Sequence, residues 1–88
     1  MSQLNKSEFN ICVVGLGYVG LPLAARFALK NFHVIGFDID KQRIKELNNL
    51  KDRNEDISQD NLEILVKKSF LTSDISDVNN CNIFIITV

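Results

Sequence analysis

Three glycines, Gly15, Gly17 and Gly20, stand at the exit of the apolar run Asn10-Ile11-Cys12-Val13-Val14, and few chain arrangements use all three. At Gly15 the chain must turn sharply out of a strand, where a Cβ would clash. At Gly17 the missing side chain lets another group approach the backbone closely, and at Gly20 it lets a helix pack tightly against the strand. An Ala-rich helical stretch follows, and eighteen residues after Gly20 an acid, Asp38, ends a second apolar run. Strand, glycine turn, helix, strand and acid in this register match a dinucleotide-binding unit, in which the amides and positive dipole end of the helix face a pyrophosphate. Asp38 is then placed to accept hydrogen bonds from the adenosine ribose hydroxyls. A Gly-rich turn between packed elements is the plainer reading, but it leaves the acid at that distance unexplained.

The rest of the chain alternates in the same manner. Residues 1–9 read as a polar, frayed lead-in. Strand one spans about 10–15, apolar without alternation, as in a parallel strand covered on both faces. A helix runs from about Tyr18 or Val19 to Lys30, with Pro22 in its first turn, where a missing N–H costs nothing. Phe32 to Phe37 is strand two. Asp40 is a candidate N-cap for a helix over 41–48 with Ile44 and Leu47 as its apolar stripe. Lys51 to Ser58 is a charged loop, and Ser58 or Asp60 can cap a helix over about 59–68. Phe70 to Thr72 is a short third strand. Residues 74–80 form a turn or one-turn helix capped by Ser73 or Asp74, and Ile83 to Val88 is strand four. The expectation is an α/β fold: a Rossmann-type parallel sheet of order 3-2-1-4 with flanking helices, cut off after strand four. A protein would rarely end on so apolar a strand. Residues 1–88 therefore read as the N-terminal part of a nucleotide-binding domain in a longer chain.

Composition narrows the function. Ten Lys+Arg against eleven Asp+Glu give a net charge of −1, no footprint for nucleic acid or an anionic membrane. No apolar run can span a bilayer, and Met1 to Asn10 lacks a signal-peptide core, so the cytoplasm is the expected location. Cys12 and Cys81 have neither CxxC nor metal-ligand spacing and read as inert thiols. The only histidine, His33, opens strand two and reads as structural.

The stretch Val13-Val14-Gly15-Leu16-Gly17-Tyr18-Val19-Gly20-Leu21-Pro22-Leu23-Ala24, with Val34-Ile35-Gly36-Phe37-Asp38-Ile39-Asp40, resembles the start of the UDP-glucose/GDP-mannose dehydrogenase family. The ending Ile83-Phe84-Ile85-Ile86-Thr87-Val88 is similar to the strand that in this family precedes a Pro-Thr-Pro turn. The resemblance spans about residues 10–88. With the polar segment Asp52-Arg53-Asn54-Glu55-Asp56, it is closest to the branch acting on UDP-N-acetylhexosamines for surface polysaccharide synthesis.

This resemblance implies an NAD-dependent oxidation of a nucleotide-sugar C6 alcohol to the uronic acid, through a thiohemiacetal and thioester on a cysteine far downstream. Neither Cys12 nor Cys81 matches that cysteine, so no catalytic residue is expected here. It implies cofactor-binding roles for Gly15, Gly17, Tyr18, Val19, Gly20, Asp38, Arg43 and Thr87. Arg43 falls where the family places a basic residue near the ribose, a solvated helix cation being the alternative. Thr87 divides between cofactor contact and strand packing, and the Tyr18 side chain can equally be a packing residue. The implied partners are a UDP-sugar, bound mainly by downstream residues, and further copies of the chain. Two other readings stand beside this one: a hydride-transfer enzyme of the hydroxyacyl-CoA or 6-phosphogluconate type, and a non-catalytic module that senses NAD or a mononucleotide.

Overall fold

The computed structural model describes residues 8–87. The expected lead-in, as far as residue 7, and Val88 at the end of strand four lie outside them. Strands β1 (Asn10–Val14), β2 (His33–Phe37), β3 (Phe70–Thr72) and β4 (Ile83–Ile86) form one sheet in the order β3-β2-β1-β4. All pairings are parallel, with Val14 opposite Phe37 and Ile86 and Phe37 opposite Thr72, so all four strands end level with one another. This is the 3-2-1-4 Rossmann arrangement that the alternation predicted.

Helices α1 (Gly20–Leu29), α2 (Lys41–Asn48) and α3 (Gln59–Lys68) fill the crossovers. Helix α1 starts at Gly20, slightly later than expected, and Val19 at its N-cap supplies no side-chain acceptor. Helices α2 and α3 are capped as the sequence suggested: Asp40 accepts from the Arg43 amide at 3.0 Å and Ser58 from the Asn61 amide at 3.1 Å. Asp74 caps the 3-10 turn Ile75–Val78 through the Ser76 amide.

Strand alternation sorts the core. Ile11, Val13 and Val34 point to the helical side, where they meet Leu21, Ala24, Ala28, Leu47, Leu62 and Leu65. The alanines of α1 bring its backbone close to the sheet. Cys12 points the other way, into a smaller cluster with Phe37 and Val78. On that second face Phe84 and Ile86 remain 51% and 76% exposed.

Two helices end in left-handed turns. Helix α1 ends with Asn31 at φ 65°, its amide on the Ala28 carbonyl and that of Phe32 on the Phe27 carbonyl. Helix α2 ends likewise, with Leu50 at φ 62° and the Lys51 amide bonded to the Glu46 carbonyl. Both are Schellman closures. The second folds the charged segment 51–57 back beneath α2.

Candidate functional site

The glycine turn lies at the carboxyl end of β1, between the ends of β2 and β4. Gly15 sits at φ 94°, and its amide donates to the Phe37 carbonyl at 2.8 Å. A Cβ on Gly15 would stand 2.8 Å from Thr87 Oγ1 and 3.0 Å from the Thr87 carbonyl oxygen, so neither φ nor space admits a side chain. A Cβ on Gly20 would lie 1.7 Å from the Gly15 carbonyl oxygen and 2.7 Å from Thr87 Oγ1. The close neighbours that require Gly20 are thus the turn's own carbonyl and the residue after β4. Gly17 is different: nothing lies within 4 Å of where its Cβ would be.

That open space faces a set of unused donors. The amides of Gly17, Tyr18, Val19 and Gly20 donate to no acceptor among the described residues, whereas the Leu21 amide already bonds the Gly17 carbonyl. Successive amides without acceptors at the start of a ten-residue helix, at the positive end of its dipole, can together receive an anion. The Tyr18 side chain is 78% exposed, so it is not a packing residue among the described residues.

Asp38 follows β2 directly. Its Oδ2 accepts from the Leu16 amide and its Oδ1 from the Asp40 amide, each at 2.9 Å. A carboxylate has about four acceptor positions, so two remain for hydroxyls of a ligand. The acid therefore fixes the turn while keeping capacity to bind.

Arg43 is where the alternatives left by the sequence separate from the geometry. It is 4% exposed, which rules out a solvated helix cation. Its Nε and Nη2 donate to the Leu16 carbonyl at 3.0 and 2.8 Å. Nη1 donates to Asp52 at 2.8 Å, and Nη2 reaches Asp56 at 3.3 Å. Four of the guanidinium's five N–H groups have partners inside the protein. Asp52 in turn accepts from the amides of Asn54, Asp56 and Ile57. Burial pushes the Asp52 carboxyl toward its neutral form, but the Arg43 guanidinium and these amides outweigh it and hold its pKa below the usual range. Neither Asp52 nor Asp56 was singled out as a site residue from sequence, because a polar loop carries no period that points at a helix.

Thr87 Oγ1 lies 2.8 Å from the Gly15 carbonyl and 3.1 Å from the Val14 carbonyl, within donating range of both. Its hydroxyl occupies the space that a Cβ on Gly15 or Gly20 would need. His33 is exposed at the opposite end of the sheet, away from this turn. Cys12 is fully buried; burial first, then the neighbouring Cys81, pushes its thiol up to about 11. Among the described residues no group of His, Cys, Asp or Glu is arranged to hold a metal ion. No helix of these residues is long and apolar enough to cross a membrane.

Residues 9–88 match the model of the UDP-glucose/GDP-mannose dehydrogenase family, NAD binding domain. The chain belongs to this family. It is similar to the UDP-N-acetyl-D-glucosamine 6-dehydrogenase of Salmonella typhi, 46% identical over 92% of this chain and 19% of the relative. Protein CapL of Staphylococcus aureus is 46% identical over 90% of this chain and 18% of the relative. Among solved structures, the UDP-D-ManNAc dehydrogenase of Pyrococcus horikoshii superposes with TM-score 0.79 at 34% identity, over 89% of this chain and 19% of that one. A ternary complex of GDP-mannose dehydrogenase from Pseudomonas aeruginosa gives TM-score 0.78 at 25% identity, over 91% and 19%. The chain spans about a fifth of the length of the relatives it matches.

The turn fits the NAD that this family's domain binds. It presents open space at Gly17, unaccepted amides and no carboxylate among the groups bonded to Gly17, Tyr18 or Val19. Gly17 leaves this surface free of a side chain, and the Asp38 carboxylate stands one strand away with acceptor capacity left over.

Proposed function

We propose that this chain is the cofactor-holding part of an NAD-dependent nucleotide-sugar 6-dehydrogenase that converts a UDP-N-acetylhexosamine to its uronic acid for surface polysaccharide synthesis. The observation that carries the reading is the similarity, over 92% of the chain, to a dehydrogenase named for that sugar class. The amide seat beside Asp38 supports the cofactor half of it. On this reading residues 1–88 are one part of a longer, cytoplasmic, homo-oligomeric enzyme.

NAD would supply the hydride acceptor for both oxidation steps, alcohol to aldehyde and aldehyde level to acid, so one sugar consumes two molecules of it. This chain's residues do the holding. The amides of Gly17, Tyr18 and Val19 hydrogen-bond the pyrophosphate, with Gly15 and Gly20 giving the turn its shape. Asp38 accepts from the adenine ribose. Arg43 and Thr87 act at the same turn. The nucleophilic cysteine and the acid–base groups belong to residues outside this chain.

The test is turnover by the full-length gene product with NAD and UDP-GlcNAc, UDP-ManNAc or UDP-glucose. The expected result is two NADH per sugar with an N-acetylhexosamine. NAD binding without NADH formation on any nucleotide sugar would favour a sensing module instead.

A further inference from the structure

Leu16 is held at both of its peptide groups, and by residues from opposite ends of one turn. Its amide is bonded by Asp38 at the end of β2, and its carbonyl is gripped by two nitrogens of Arg43 in α2. The carbonyl of Leu16 and the amide of Gly17 belong to one planar trans peptide, in which C=O and N–H point in opposite directions. Drawing the carbonyl toward Arg43 therefore turns the Gly17 amide the opposite way, and that amide has no acceptor among the described residues. The carbonyl also needs this partner, since a buried carbonyl left unbonded is destabilising.

The guanidinium is itself positioned. Asp52 and Asp56 have side chains 5% and 10% exposed, and their carboxylates neutralise the buried charge. Removing Arg43 leaves two buried carboxylates without their cation, whereas removing Asp52 leaves Arg43 with Asp56 alone. The segment 51–57 is thus connected to the glycine turn through one arginine, although it offers no group to the amide seat.

We propose that Arg43 is a positioning residue for the phosphate turn: it aims the Gly17 amide at the cofactor pyrophosphate by holding the Leu16 carbonyl, and Asp52 holds Arg43 for that task. The proposal rests on the cofactor reading above and deepens it, because it predicts which portion of the ligand senses the arginine. A guanidinium directed at the ribose acts on adenosine and ADP alike. A guanidinium that orients an amide toward phosphate acts on ADP alone.

The experiment uses the full-length gene product and its Arg43→Met, Arg43→Lys and Asp52→Asn variants. NAD and ADP are titrated by calorimetry, and adenosine by NMR. Thermal melts run alongside. Arg43→Met should weaken NAD and ADP about tenfold, the worth of one charge-assisted hydrogen bond, and leave adenosine within about twofold. Asp52→Asn, which touches no ligand on this geometry, should show the same selectivity with a smaller loss. Arg43→Lys keeps the charge but not the two-nitrogen grip and should fall between the two. If Arg43→Met does not fold, Arg43→Lys and Asp52→Asn carry the test. An equal loss for adenosine and ADP overturns the proposal in favour of direct ribose contact. Unchanged ADP affinity in variants that melt lower overturns it in favour of a purely structural ion pair. Failure of the unmodified protein to bind NAD or ADP overturns the cofactor reading and the positioning role together.

Discussion

Around Leu16, polar groups meet polar groups at 2.8–3.0 Å: the Arg43 guanidinium on its carbonyl, the Asp38 carboxylate on its amide, and the Phe37 carbonyl on the neighbouring Gly15 amide. Around Phe84, on the sheet face away from the helices, the contacts are apolar and incomplete, and Phe84 and Ile86 stand largely open. Hydrogen bonds are directional and constrain orientation, whereas apolar contact constrains only proximity. The turn is therefore preorganised by this chain's own residues. The open face is shaped to accept cover and does not specify it.

The sharpest break in that comparison comes at the glycines. Gly20→Ala places a methyl inside the Gly15 carbonyl, and backbone cannot step aside as a side chain can. The loss should be about 3 kcal/mol of unfolding free energy or more in urea titrations. Gly17→Ala meets nothing and should stay within about 1 kcal/mol of the parent, while NAD affinity drops about tenfold as the methyl enters the pyrophosphate seat. Native NAD affinity in Gly17→Ala would show that the seat lies elsewhere.

Next in size is the cofactor preference. An ionised Asp38 repels a 2′-phosphate at close range, which should favour NAD over NADP by about a hundredfold. Asp38→Ala should narrow that gap and also weaken NAD, because it releases the Leu16 amide as well as the ribose. Calorimetry on the full-length product with both cofactors decides it; equal NADP binding by the parent would turn Asp38 into a purely structural residue.

On the open face the effects are smaller and lie in association. The free edge of β4 and its exposed Phe84 should make the 88-residue chain self-associate, and Phe84→Ser should reduce light scattering across a concentration series. A strictly monomeric parent at high concentration would contradict this. Cys12, on the same face, supplies a pH test. Its folded pKa of about 11 lies above that of an unfolded thiol, so its stabilising effect is complete below about pH 8.5 and is lost as pH rises toward 11. Cys12→Ala should flatten that alkaline decline.

The strand and helix order was legible because each element carries its own period and each helix its own start signal: Asp40 and Ser58 cap where short polar residues precede apolar stripes. The placing of Gly17 and Asp38 at the turn was legible because a fixed spacing ties them to it. Arg43 was legible as a position but not as an orientation. A cation in the first turn of a helix looks the same in sequence whether it faces water or the core. What turns it inward is a pair of acids nine and thirteen residues on, brought under α2 by Leu50 in a left-handed conformation that the residue type does not advertise. Thr87 was similarly visible at a strand end, while its fit between two glycines is a fact of three-dimensional closeness alone.

Thr87 also sets a timetable. Its hydroxyl bonds carbonyls 72 and 73 residues earlier, and at the other end of β4 Asn82 bonds the Asn10 amide and the Glu8 carbonyl. During synthesis β1 and the glycine turn emerge from the ribosome early, yet the residue that wedges the turn arrives 72 residues later. At roughly 5–20 residues per second, several seconds separate the two. Through that interval the turn lacks its wedge, and an early-arriving cofactor would meet a loop still free to sample other shapes. The packing of the glycine turn is thus completed by the appearance of residue 87, not by that of the glycines.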